Sequence, residues 1–215
     1  MTSGTTALLA MIGLTLAAAP LHAADPDVDA LLASLARPAP DSTSFVEVRY
    51  SSLLETPIVV SGRLEHREDG TLLRRVETPY EEVTELRGEN VLVQRAGSKP
   101  RRFSLDRAPE LRGMLASFGA ILKGDRPMLD RHFVVTAKGD EARWEITLTP
   151  RDDKLKRRLS AIVVDGAENR AKCFTLEEPD GDASLMALGV AGPADLPAAL
   201  ERPTLRDWCT GDTRQ

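Results

Sequence analysis

From Phe45 onwards the chain alternates. Phe45, Glu47 and Arg49 interleave with Val46, Val48 and Tyr50, and Ile58, Val60, Gly62 and Leu64 interleave with Val59, Ser61, Arg63 and Glu65. A period of two predicts strands whose successive side chains point to opposite faces. Glu68-Asp69-Gly70-Thr71 predicts a turn, after which Leu72 to Thr78 returns. Pro79 opens a second strand–turn–strand unit: Val83 to Leu86, the turn Arg87-Gly88-Glu89-Asn90, then Val91-Leu92-Val93. Ala96-Gly97-Ser98-Lys99-Pro100 predicts a further turn and Arg101 to Leu105 a short strand. Five or six antiparallel strands are therefore expected before the pattern changes.

Two stretches have the helical period instead. Asp25-Pro26 offers an N-cap and a first-turn proline, Val28, Leu31, Leu32 and Leu35 form one apolar stripe, and Pro38 and Pro40 end it. Pro109 starts the second, in which Leu111, Met114, Leu115, Phe118, Ile121 and Leu122 share one face, and Lys123-Gly124-Asp125 stops it. Strands are expected to resume at Phe133-Val134-Val135, Trp144 to Thr149, Leu159 to Val164, Cys173 to Leu176 and Leu185-Met186-Ala187. From about residue 190 the chain, with Pro193, Pro197 and Pro203, is expected to be irregular apart from a turn of helix at Ala198-Ala199-Leu200.

This order predicts an α+β fold. A long antiparallel sheet with only two substantial helices has one face to cover and must curl over them. The expected result is an open half-barrel with a helical lid, in one domain over residues 25–215. The space beneath the lid is either an apolar ligand cavity or a filled core, since both need the same periodicity.

The first 24 residues carry no Lys, Arg, Asp or Glu, and Ala7 to Leu16 is nearly all apolar. They read as a secretory signal peptide, residues 1–24, cleaved near Ala23 or Ala24. As a membrane anchor the run would be short of the ~20 residues that span a bilayer. No Cys follows the small residues, which leaves no acceptor for lipid there. Cys173 and Cys209 would meet an oxidising compartment, so a disulfide is expected, the alternative being two buried free thiols. The bond would close a loop of roughly 37 residues, worth about 4 kcal/mol in the chain-entropy picture.

The net charge of −5 gives no reason to expect nucleic acid. Beyond the leader only His66 and His132 remain; His66 shares the parity of Val60 and Leu64, and a partly exposed strand histidine is its simpler reading. Neither histidine stands at a metal spacing, the cysteines form no CxxC, and no G-x-S-x-G elbow or P-loop occurs. The carboxylate pairs Glu81-Glu82, Asp152-Asp153 and Glu177-Glu178 are neighbours that a strand sends to opposite faces. No catalytic residue, metal or cofactor is expected. The run Lys154 to Arg158 reads as a charged hairpin end that blunts a sheet edge, or as a docking patch for a partner or for anionic headgroups.

Several segments resemble, in order, those of the LolA-like periplasmic lipoprotein carriers. Ser44-Phe45-Val46-Glu47 resembles the family's first strand, and Gly62-Arg63-Leu64 its G-x-L. Pro79 with Glu82, Gly88, Val91 and Val93 is similar to its P-x-x-E and glycine hairpin, and Trp144 to Pro150 to its aromatic-x-L-T-P strand. The resemblance implies a periplasmic, monomeric carrier. It would hold the acyl chains of a lipoprotein or lipid, taken from an inner-membrane donor complex and passed to an outer-membrane acceptor. Val60, Leu64, Trp144, Ile146 and Leu148 would line the sheet side of the cavity, and Leu111, Met114, Leu115, Phe118, Ile121 and Leu122 the lid. Arg67 lies nearest the family's arginine at the mouth, but Glu68-Asp69-Gly70 follows it where the family has a proline. The aromatic content of 4% is low for such a cavity, and the cysteine pair departs from the common pattern. This is the profile of a divergent branch, with a periplasmic sensor or scaffold that binds a protein partner without cargo as the alternative.

Overall fold

The computed structural model describes residues 26–105, 119–121 and 123–211. Of the lid stripe, Ile121 falls within them, and Leu111, Met114, Leu115, Phe118 and Leu122 lie outside the described residues. Eleven strands form one antiparallel sheet. They are β1 (Asp41–Tyr50), β2 (Ile58–His66), β3 (Leu72–Thr78), β4 (Glu82–Arg87), β5 (Asn90–Arg95), β6 (Arg101–Ser104), β7 (Phe133–Gly139), β8 (Trp144–Pro150), β9 (Ala161–Ala167), β10 (Arg170–Glu177) and β11 (Ala183–Leu188). Their spatial order is β6-β5-β4-β3-β2-β1-β11-β10-β9-β8-β7. The sheet is thus two meanders, one of six strands and one of five, joined where the first strand pairs with the last: Phe45 faces Leu188 and Tyr50 faces Ala183.

The expected open, curved antiparallel sheet with few helices is what the chain forms. Its bends have local causes. The register shifts between Ser61 and Gly62, where a Cβ on Gly62 would lie 1.9 Å from the Arg75 carbonyl oxygen. Only glycine admits that approach, and a bulge there bends the strand. On the other meander, a Cβ on Gly166 would strike the Trp144 ring at 2.1 Å. The indole lies across that glycine and donates from Nε1 to the Glu168 carbonyl, 2.8 Å.

Helix α1 (Val28–Leu35) is capped by Asp27, whose carboxylate accepts from the amides of Asp29 and Ala30, and not by the expected Asp25. Gly124, at φ +64°, ends the helical residues 119–121 and 123 as expected. A further helix, α2 (Arg126–His132), follows at once, because Asp125 caps it through the Met128 amide and Pro127 suits its first turn. A short α3 (Asp153–Lys156) turns the chain between β8 and β9. The C-terminal segment is more regular than its prolines suggest: a 3-10 turn spans Pro193–Asp195, and α4 spans Arg202–Thr210. Pro203 sits in the first turn of α4, and Gly211, at φ +73°, closes it, so these residues start and stop a helix instead of breaking one.

The inner face carries α1 and α2. Leu32, Leu35, Ile121 and Leu129 pack there on Phe133, Val135, Trp144, Ile146, Leu148, Ile162, Val164 and Phe174. The outer face carries α4, whose Leu205 and Cys209 pack on Val46, Val48, Leu185 and Ala187. Cys173 of β10 and Cys209 of α4 form the expected disulfide, with their Cα atoms 5.8 Å apart.

Candidate ligand site on the inner face

The two meanders present different inner faces. On the five-stranded one the apolar side chains of the described residues pack with α1 and α2 in one buried cluster. On the six-stranded one Phe45, Val60 and Val76 form a smaller cluster, with Leu64, Tyr80, Met186 and Leu188 against it. The candidate lining residues therefore divide. Ile121, Trp144, Ile146 and Leu148 belong to the first cluster, and Val60 and Leu64 to the second.

Between the clusters lies a group of charges. Glu47 shares the inward parity of Phe45 and is only 6% exposed. Arg49 donates to both of its oxygens, at 2.9 and 3.0 Å, and Arg74 and the Ser184 hydroxyl complete its shell. Burial pushes the Glu47 carboxyl upward, but the bonds from Arg49, Arg74 and Ser184 outweigh it and hold the group below its ordinary value. The guanidinium of Arg74 lies 4.9 Å from the Phe45 ring centre, and that of Arg95 lies 4.1 Å from the Tyr80 ring centre. Cations over aromatic faces are favourable, so these arginines rest on apolar ground without losing their charge.

A groove of roughly 640 Å³ opens beside this group. Glu47, Arg49 and Ser184 form part of its wall, Leu54 of the β1–β2 loop and Ile58 at the start of β2 another, and Leu155, Arg158 and Leu159 of the β8–β9 connection a third. Glu178 and Asp182 close it from the β10–β11 turn. A volume of this order suits a small amphiphile, for ligand sites usually measure about 300–1,000 Å³. Arg67 is elsewhere. It sits in the β2–β3 hairpin with Glu65 at 3.7 Å, at the opposite end of the sheet from the groove. His66 is half-buried beside it on the inner face, and its Nδ1 is buried without a hydrogen-bond partner among the described residues.

The outer face has its own buried acid. Asp165 of β9 is 1% exposed, and its Oδ1 has no hydrogen-bond partner among the described residues. Burial, then the nearby Glu145, raise its pKa from an ordinary 3.8 to about 6. Arg206 of α4 bonds Glu145 at 3.2 Å and lies 3.7 Å from Glu177, so the helix lays one cation across this acidic strip. Among the described residues no group of three or more His, Cys, Asp or Glu side chains could hold a metal ion.

Sequence reasoning identified inward-facing apolar strand positions by periodicity but missed the Glu47 group and the groove. The signal was present: Glu47 and Arg49 continue the inward parity of Phe45, where a core strand should carry apolar side chains.

The chain is thus an open sheet of two meanders, packed by helices on its inner face and grooved at one end. Residues 18–211 match the family described as outer membrane lipoprotein carrier protein LolA-like, and the chain belongs to that family. No curated protein matches the sequence. Among solved structures it is similar to a LolA superfamily protein from Nitrosomonas europaea, with 11% identity, TM-score 0.44, and coverage of 76% of this chain and 90% of that one. A DUF1329 family protein from Desulfovibrio piger gives 14% identity, TM-score 0.40, and coverage of 83% and 96%. The MucA/MucB complex of Pseudomonas aeruginosa gives 17% identity, TM-score 0.34, and coverage of 79% of this chain and 60% of that one. None of these likenesses is close enough to carry a ligand or a partner across.

Proposed function

We propose that this protein is an extracytoplasmic carrier that shelters acyl chains on the inner face of its sheet and moves them between membranes. The observation that supports this reading is the 640 Å³ groove in a LolA-like chain, where apolar Leu54, Ile58, Leu155 and Leu159 meet the charged Glu47–Arg49 pair. Apolar walls with one polar corner suit an amphiphile whose chain enters the groove and whose head remains near the arginine. Each buried methylene contributes about 0.8 kcal/mol, so ten would give roughly 8 kcal/mol before the costs of association. Val60, Leu64 and the lid stripe extend the proposed lining. The cargo is an acylated lipoprotein or a lipid, received from an inner-membrane donor and released to an outer-membrane acceptor. The protein acts in the periplasm after loss of residues 1–24, as a binder and not as an enzyme.

Native mass spectrometry of protein purified gently from the periplasm tests this directly. A discrete acylated adduct, identified after organic extraction, is the expected outcome. A clean mass of the mature chain that also refuses fluorescent fatty acids would overturn the carrier reading and favour a scaffold that binds a protein partner.

A further inference from the structure

Five large apolar side chains are exposed among the described residues, and three of them, Leu53 and Leu54 of the β1–β2 loop and Ile58 at the start of β2, lie in one short stretch. Leu53 is 91% exposed. A leucine so placed contributes almost nothing to the fold, and adjacent exposed apolar residues on a monomer mark a surface that meets something apolar. The loop that carries them is held at its base. The Ser52 amide donates to Asp182 at 2.7 Å, and the Leu54 amide donates to the Ser51 carbonyl at 3.0 Å. The two leucines are therefore presented on an anchored turn.

Across the groove stands the β8–β9 connection. Leu54 and Ile58 on one side face Leu155, Leu159 and Arg158 on the other. This connection carries Lys154, Lys156, Arg157 and Arg158, all exposed. Its two acids are engaged locally: Asp152 caps α3 through the Lys154 and Leu155 amides, and Asp153 pairs with Lys156 at 2.9 Å. Lys154, Arg157 and Arg158 leave that wall basic. Glu178 and Asp182 stand on the β10–β11 turn between these two walls, and Glu55 follows the leucines on the loop. The mouth is thus polarised, with an apolar wall and a basic wall flanking an acidic turn.

We infer that this end of the sheet docks on a phospholipid bilayer, with Leu53 and Leu54 entering the acyl layer and Lys154, Arg157 and Arg158 meeting the phosphates. An apolar insertion and a basic patch are two weak signals that together give reversible membrane attachment. Each basic residue near an anionic surface strengthens binding by roughly five-fold. The polarity of the mouth sets the tilt, with the α3 wall toward the membrane and the β10–β11 turn away from it. Docking in this pose opens the groove onto the lipid. The inference deepens the carrier reading, yet it stands on the loop and α3 alone.

The test is sedimentation of the full mature chain with vesicles of phosphatidylcholine, alone or mixed with phosphatidylglycerol. Wild type is expected to bind both and to prefer the mixed vesicles. Leu53→Asp/Leu54→Asp should weaken both by at least about tenfold, with an unchanged melting temperature because neither side chain supports the core. Arg157→Glu/Arg158→Glu should abolish the preference for mixed vesicles. Wild type that ignores both vesicles, or a leucine variant that binds like wild type, overturns the inference. Co-purified lipid is scored separately by native mass. A lipid adduct without vesicle binding rejects docking and keeps the carrier, whereas vesicle binding by a cargo-free protein keeps docking and rejects the carrier.

Discussion

The five-stranded and six-stranded meanders are built from the same alternation but resolve it differently. In the first, the inward side chains Phe133, Val135, Trp144, Ile146, Leu148, Ile162, Val164 and Phe174 pack with α1 and α2 in one buried cluster. In the second, Glu47, Arg49, Arg74 and Arg95 interrupt the apolar positions, and Glu47 and Arg49 line the groove. Periodicity alone says which residues point inward; the chemistry at those positions says which half is core and which half meets solvent or ligand.

Changes in the helix-packed half should cost most. Trp144→Ala removes the largest inward ring of β8 and leaves the Glu168 carbonyl without its donor, so unfolding free energy should fall by about 3–5 kcal/mol in a denaturant titration. Cys173→Ser/Cys209→Ser frees α4 from β10 and should lower stability by about 4 kcal/mol, read from the same titration against the oxidised wild type. A smaller loss would mean that the packing of Leu205 and its neighbours already holds α4 in place.

The charged group of the other half should respond differently. Glu47→Gln removes the anion that Arg49 and Arg74 share and should destabilise by roughly 1–2 kcal/mol, since both arginines retain some access to water. Its lowered pKa makes the stabilisation present above the ordinary carboxylate range and lost as pH falls through it. If Glu47→Gln instead raises stability, the group serves binding and not folding.

Asp165 offers the opposite dependence. Its folded pKa, about 6, exceeds the ordinary 3.8, so the native state holds this proton more tightly than the unfolded chain. The associated stability is complete below 3.8 and is lost as pH rises through about 6. Asp165→Asn should therefore stabilise at neutral pH by roughly 1–2 kcal/mol and change little near pH 4. Thermal melts across that range would show whether the charges around it, Glu145, Glu177, Lys138 and Arg206, already compensate. The smallest expected effect is that of Arg67→Ala, which should leave lipid retention unchanged because Arg67 lies far from the groove; a marked loss would relocate the mouth to the β2–β3 hairpin.

Strands and turns were legible because each has a local cause. The glycine at 88, at φ +56°, and the alternation on either side of it specify the β4–β5 hairpin without help from the rest of the chain. The inward direction of Val60, Trp144, Ile146 and Leu148 was legible for the same reason. α2 was not, because Gly124 and Asp125 read as a stop when Asp125 is also the next cap. Nor was α4, whose apolar positions are few and acquire meaning only when β10 supplies the other cysteine. The groove was beyond reach because it joins the β1–β2 loop, the β8–β9 connection and the β10–β11 turn, segments brought together by the pairing of β1 with β11 and not by any local pattern.

That pairing also has a consequence for how the molecule comes into being. Val46 and Val48, fully buried in the finished sheet, gain their second neighbouring strand only when Leu185 and Ala187 arrive from the far end of the chain. Until then β1 is the bare margin of a six-stranded ribbon, able to recruit any extended segment nearby. Pairings between such distant parts are slow to form. The interval between formation of the first meander and arrival of the last strand is therefore when this chain is most exposed to aggregation.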